Sequence, residues 1–305
     1  MIETESIDPS WNALLRPWLS SRYFDVLHRP LFETDASDCS LINAWWLCEL
    51  SRLIYRQCPQ ECGSDAPIPT RCEILHGVGL QEVETFANGT NYCSLVRSQN
   101  RSARSFAALV FRGTTGFEGW WSNMKAIQSC WPRGGSVHTG FKADFLGLWQ
   151  KIEPILFTID LPLYFTGHSL GGALAILAAS LFPAKAIYTF GAPKAGDSIF
   201  ADSLKHVRIY RFENNRDIIT TVPPSAIPFD FCHAGIPICL QDDMRTAPES
   251  SSIRGLTDPP EFLSDHAPIN YTIRLKKEIF HGREMRMATH VSIRKLHPHD
   301  PPVSK

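Results

Sequence analysis

The chain has 305 residues, of which 44% are apolar and 11% aromatic, enough to fill one large core or two ordinary ones and too much for a disordered class. Thirty Lys and Arg against 31 Asp and Glu leave a formal charge of -1, so no bulk field favours nucleic acid as a partner. The acidic start, Met1 to Asp8, has neither a basic n-region nor an apolar h-region, and no stretch nears about 18 uninterrupted apolar residues, so neither an export signal nor a transmembrane segment is expected. Nine cysteines fall at irregular spacing, with Cys58 and Cys62 lacking matching His or Cys pairs. The expectation is a cytoplasmic protein with reduced thiols and no zinc site.

In chain order, residues 1–36 mix aromatics (Trp11, Trp18, Tyr23, Phe24) with polar residues without a clean period and read as an N-terminal extension. From an N-cap at Asp38 or Ser40, a helix is predicted to about Gln57, with Ile42, Trp46, Leu50 and Leu53 on one face. Residues 58–69, rich in Pro, Gly and Cys, break regular structure. Strands follow at 91–97 and 106–111, the second apolar throughout, as a strand covered on both faces should be. A helix near 140–156, strand 161–166, helix 170–182, strand 185–190, helix 197–206 and strand 207–212 then alternate. This alternation predicts crossover units and a mainly parallel sheet with helices on both faces. The Pro-rich segment 222–265 reads as loop, and a helical pattern returns at Ile269, Tyr271, Thr272 and Leu275.

The most specific string is Gly167-His168-Ser169-Leu170-Gly171-Gly172, which follows an apolar strand and opens an apolar helix. A serine on so sharp a strand-to-helix turn is strained, and the turn closes only if the residues two before and two after it carry no side chain. Such a turn lifts the hydroxyl of Ser169 off the sheet and aims the first amides of the next helix at the same spot. Serine is a weak nucleophile unless an imidazole takes its proton and a carboxylate orients the imidazole. For the acid, Glu213 and Asp217 both lie where the strand at 207–212 runs out. For the base, His233 and His266 are the candidates, because His168 is the serine's own neighbour, and His138 and His206 precede the serine or the acid. His266 follows a long loop and precedes a helix, a position that suits a mobile imidazole.

Five strings, in order, resemble the class 3 or fungal-type lipases of the α/β-hydrolase fold: Phe111-Arg-Gly-Thr114; Val137-His-Thr-Gly-Phe141; the elbow at 167–172; Asn215-Arg-Asp217 with Val222-Pro223-Pro224; and Asp265-His266 with Asn270-Tyr271. Cys232-His233-Ala234-Gly235 is similar to that family's preceding, non-catalytic His-x-Gly stretch. The resemblance implies a catalytic triad of Ser169, Asp217 and His266, and an oxyanion hole from the backbone amides of Thr114 and Leu170. It places a lid after Thr114. There Phe117, Trp120, Trp121 and Met124 fall at i, i+3, i+4 and i+7, an amphipathic stripe suited to covering an acyl cleft in water and lying on lipid when open.

The resemblance implies a hydrolase domain over 37–276, flanked by the extension 1–36 and a basic tail 277–305. From Arg274 to Lys305 there are eight Lys or Arg against three acids, a basis for transient contact with a lipid interface. The implied activity is cleavage of carboxylic esters of acylglycerol-type lipids through an acyl-enzyme, without metal or organic cofactor. Phospholipase A1 and short-chain carboxylesterase are the alternatives within the chemistry. A catalytically idle lipid-binding protein on the same fold is the alternative outside it.

Overall fold

The computed structural model describes residues 6–20, 22–56, 67–114, 127–225, 230–241 and 258–280. Its elements run α1 (Trp11–Leu15), α2 (Leu41–Leu53), α3 (Arg71–Gly77), β1 (Leu80–Asn88), β2 (Asn91–Ser98), β3 (Ala107–Phe111), β4 (Gln128–Cys130), β5 (Ser136–His138) and α4 (Thr139–Leu156). They continue with β6 (Leu163–His168), α5 (Leu170–Leu181), β7 (Ala186–Phe190), α6 (Ser198–Ser203), β8 (Ile209–Asn214), β9 (Ile236–Leu240), α7 (Glu261–Ser264) and α8 (Pro268–Phe280). Seven strands form one sheet in the order β1-β2-β3-β6-β7-β8-β9. The first two pairings are antiparallel and the other four parallel. β4 and β5 form a separate antiparallel pair.

The sequence accounts for the centre of this sheet directly. β3, β6 and β7 are buried at every position, as strands covered on both faces must be. One face carries α4 and α5; α5 is Ala- and Leu-rich and buried from Leu170 to Ala179, so it lies flat on β6 and β7. The other face carries α2 and α8. α2 starts at Ser40, one of the two expected caps, whose Oγ accepts the Asn43 N–H at 3.0 Å.

Four departures from the sequence reading have physical reasons. Strand β1 is an outer strand of mostly polar sequence with a bulge between Glu82 and Glu84, so its two-residue alternation is broken. Strand β9 lies inside the segment read as loop and tolerates Pro237 because it is the edge strand beyond β8. α8 runs through Phe280, past the expected boundary at 276. The described part of 1–36 is built into the core: Phe24 packs 6.0 Å from Trp45 and 5.2 Å from Trp46, and Phe32 stacks on Phe106 at 3.7 Å. Its buried aromatics Tyr23, Phe24 and Phe32 have no period because each meets a distant element.

Candidate active site

Ser169 stands between β6 and α5 with φ 58° and ψ -131°, a conformation L-residues adopt at a cost of about 1–3 kcal/mol. The surroundings enforce it. A Cβ on Gly167 would overlap the backbone of Gly171, and one on Gly171 would overlap the carbonyl of Phe111 at the end of β3. Main-chain bonds from Ser169 N to Phe190 O and from Gly172 N to Ser169 O, both 2.9 Å, close the turn. Leu170 opens α5, so its N–H is one of the four a helix leaves without an intrahelical acceptor.

The loop after β3 passes beside this turn. A Cβ on Gly113 would sit 2.6 Å from the His168 carbonyl oxygen and 3.2 Å from the Ser169 Cβ, so the chain at 113 lies against the elbow. Thr114 follows at once, and its buried Oγ1 has no hydrogen-bond partner among the described residues.

Asp217 caps the 3-10 turn Ile218–Thr221 beyond β8, and its Oδ1 accepts the Ile219 N–H at 2.8 Å. Its other oxygen accepts two bonds, from His266 Nδ1 at 2.7 Å and from Tyr271 Oη at 2.6 Å. Tyr271 Oη in turn accepts the Asn214 N–H at 3.1 Å. All three side chains are buried, Asp217 at 3% and His266 at 1% exposure. Burial, with the Asp217 charge adding to it, holds the Tyr271 hydroxyl well above its usual range, so it remains a donor. The carboxylate is saturated by donors that fix both oxygens, and the imidazole it holds is pinned through Nδ1.

His168 supplies the second anchor. Its Nε2 lies 2.8 Å from the main-chain oxygen of His266, and its Nδ1 lies 3.0 Å from Tyr55 Oη. A carbonyl only accepts, so Nε2 carries the proton and Nδ1 accepts from the tyrosine. Burial first, and the nearby His266 second, depress the His168 pKa well below the ordinary value, so this imidazole stays neutral.

The two alternatives from the sequence fall elsewhere. Glu213 pairs with Arg211. His233 donates from Nε2 to Thr220 O at 2.7 Å, bracing the turn that follows Asp217, and burial pushes its pKa down to about 3. Phe117, Trp120, Trp121 and Met124 lie outside the described residues. Spacing gives Tyr271 no role at the site; it enters the sequence reading only through the helical pattern at 269–275 and the string that carries His266. Among the described residues no three His, Cys, Asp or Glu cluster as metal ligands would.

The model of the class 3 lipase family matches residues 108–226, the segment from β3 through the turn after Asp217. A lipase of Rhizomucor miehei is 32% identical over 192 residues, covering 51% of this chain and 50% of that protein. The chloroplastic phospholipase A(1) DAD1 of Arabidopsis thaliana is 30% identical over 162 residues, covering 41% of this chain and 35% of that protein. The chain thus spans about half the length, or less, of these curated relatives. A solved triacylglycerol lipase, described as having a serine protease triad, superposes with a TM-score of 0.57 over 76% of this chain and 94% of its own, at 24% identity, which establishes the α/β-hydrolase fold. Across its central strands and elbow, residues 108–226, the chain is thus similar to the class 3 lipase family, on the α/β-hydrolase fold.

Proposed function

We propose that the chain hydrolyses carboxylic esters of lipids through an acyl-enzyme on Ser169. The observation that carries this reading is the buried Asp217–His266 bond of 2.7 Å, with the His266 main chain bonded to the side chain of His168, the residue before Ser169. Ser169 Oγ attacks the ester carbonyl while its proton passes to His266 Nε2; the developing imidazolium is stabilised by Asp217 at Nδ1. The amides of Thr114 and Leu170 receive the charge on the carbonyl oxygen. Collapse breaks the ester bond, and the alcohol leaves with the proton from Nε2. Water then repeats the cycle on the acyl-enzyme, releasing the acid and restoring Ser169.

Acylglycerol is the proposed substrate class, supported by the triacylglycerol lipase whose fold the chain shares. The similarity to a phospholipase A(1) supports a diacyl phospholipid as the second reading. The seven described cysteines are free thiols, which supports a reducing, cytoplasmic setting. No helix among the described residues is long and apolar enough to cross a membrane.

The test is covalent labelling of Ser169 by a fluorophosphonate, with turnover of p-nitrophenyl esters from acetyl to palmitoyl, a triacylglycerol emulsion and a phospholipid. Labelling at Ser169 with highest turnover on long acylglycerol esters is expected. A wild-type protein that is folded, unlabelled and inert on every ester is an idle lipid binder instead. The lid rests on its amphipathic spacing and predicts a rise in rate when a long ester passes from monomer to droplet. Trp120→Ser with Trp121→Ser should blunt that rise and spare acetyl ester hydrolysis; equal loss on both substrates removes the lid.

A further inference from the structure

We infer that the N-terminal segment 8–15 is a positioning strap for His266, and that turnover, not substrate binding, depends on its seat; this rests on His266 being the base. The turn that carries His266 cannot hold itself. α7 is four residues long and has no side-chain cap at its start, far short of a helix stable on its own. Its rigidity comes from what touches it.

On the inner side, His168 holds the His266 carbonyl. On the outer side the strap does the corresponding work. The side chain of Asn270, fully buried, pairs with the main chain of Asp8 as a neighbouring strand would: Oδ1 accepts the Asp8 N–H at 2.8 Å and Nδ2 donates to Asp8 O at 2.8 Å. The same Nδ2 donates to Ser264 O at 2.8 Å, two residues before His266. One amide therefore ties the strap to the histidine's turn. Ser10 N donates to Asp8 Oδ1 at 2.9 Å, and Ser10 Oγ accepts the Ala13 N–H at 3.1 Å, which starts α1. α1 then turns Ala13 and Leu14 onto Ala267, with Leu263 and Ile269 at the margins, covering the residue next to His266.

The chain that continues from the strap is anchored as well, at residues 18–20. Arg56 Nη1 donates to Trp18 O at 3.0 Å and Ser20 O at 2.9 Å, and Arg52 Nη1 donates to Ser20 Oγ at 2.7 Å. Both arginines belong to the buried part of α2 and its C-terminal turn. The segment thus runs from a fixed point on the domain to the back of the histidine's turn.

The test uses the full-length chain and a short soluble ester, with turnover normalised to the serine titrated to completion by a fluorophosphonate. Leu14→Glu places a charge against Ala267, and Asn270→Ala removes all three amide bonds. Each should lower normalised kcat about ten- to a hundredfold, the scale of a misplaced catalytic group, with KM within about twofold. Leu14→Met keeps the apolar contact and should restore kcat. Trp11→Ser, on the exposed side of the same turn, should leave it unchanged. If Leu14→Glu does not fold, Leu14→Ala should show a smaller fall in kcat, about threefold, again at constant KM. Variants that lose only folded protein while normalised kcat holds overturn the inference, as does a rise in KM without a fall in kcat. A wild-type chain that neither labels nor turns over any ester overturns the triad reading, and the strap's role with it.

Discussion

The two faces of the sheet are stabilised by different means. The α4 and α5 face is nearly all hydrocarbon, with Leu174, Ala175, Leu177 and Ala178 of α5 laid on Phe165 and Ile187. The α2 and α8 face contains tyrosines and buried charge: Arg52 lies 2.6 Å from Glu49, with Arg52 at 1% and Glu49 at 3% exposure, and burial pushes the Glu49 carboxyl up against the lowering effect of Arg52. The first face is a continuous local pattern. The second is assembled from segments far apart in sequence, and it is the face that brings in Tyr271, Asn270 and the strap. Ser169 grows out of the hydrocarbon face, and His266 is delivered from the polar one.

Substitutions at the seam between the faces should have the largest effect. Ser169→Ala and His266→Ala should each lower kcat by about 10⁴–10⁶ while leaving a folded protein, because triad members act as a unit. His233→Ala should leave kcat within about tenfold of wild type. Steady-state rates on an acetyl ester decide this, and equal losses at both histidines would mean the base is misassigned.

Next in size is the contrast between the faces themselves. Arg52→Leu strands the Glu49 charge and should cost about 3–5 kcal/mol in urea unfolding, whereas Arg52→Leu with Glu49→Leu should recover much of that loss. Leu174→Ala on the hydrocarbon face should cost about 2–5 kcal/mol through the cavity it leaves, with no partner mutation to restore it. Additive losses in the Glu49 and Arg52 pair would erase the distinction.

The smallest expected effect is on pH dependence. His233 has a folded pKa of about 3, below an ordinary value of about 6.5. Its contribution is therefore complete above about pH 6.5 and falls as pH drops toward 3, by at most about 1.4 kcal/mol per unit. His168, depressed in the same direction, adds to the same window. Urea midpoints at pH 7 and pH 4.5 should differ less in His233→Gln than in wild type.

The hydrocarbon face was legible in the sequence for the same reason it is stable. α5 and β3, β6 and β7 are uniform apolar runs, and the elbow glycines are required by overlaps that any such turn would have. The acid and base were narrowed by chain order, but their choice over Glu213 and His233 drew on family resemblance. What the sequence could not show is the polar face. Asn270 meets Asp8 across 262 residues, and Arg56 reaches Trp18 across 38, separations that carry no periodic signal. β1 was missed for a related reason, since only Leu80 and Phe86 of its nine residues are buried.

His168 gives the two proposed reacting residues a common origin. It is joined by a peptide bond to Ser169, the proposed nucleophile, and by a hydrogen bond to the main chain of His266, the proposed base. A displacement of the end of β6 would carry Ser169 through the chain and pull on the His266 carbonyl through this bond. His168 is therefore the anchor of the turn that refers His266 to the elbow itself, whereas Asp217 and Asn270 refer it to β8 and to the N-terminal segment.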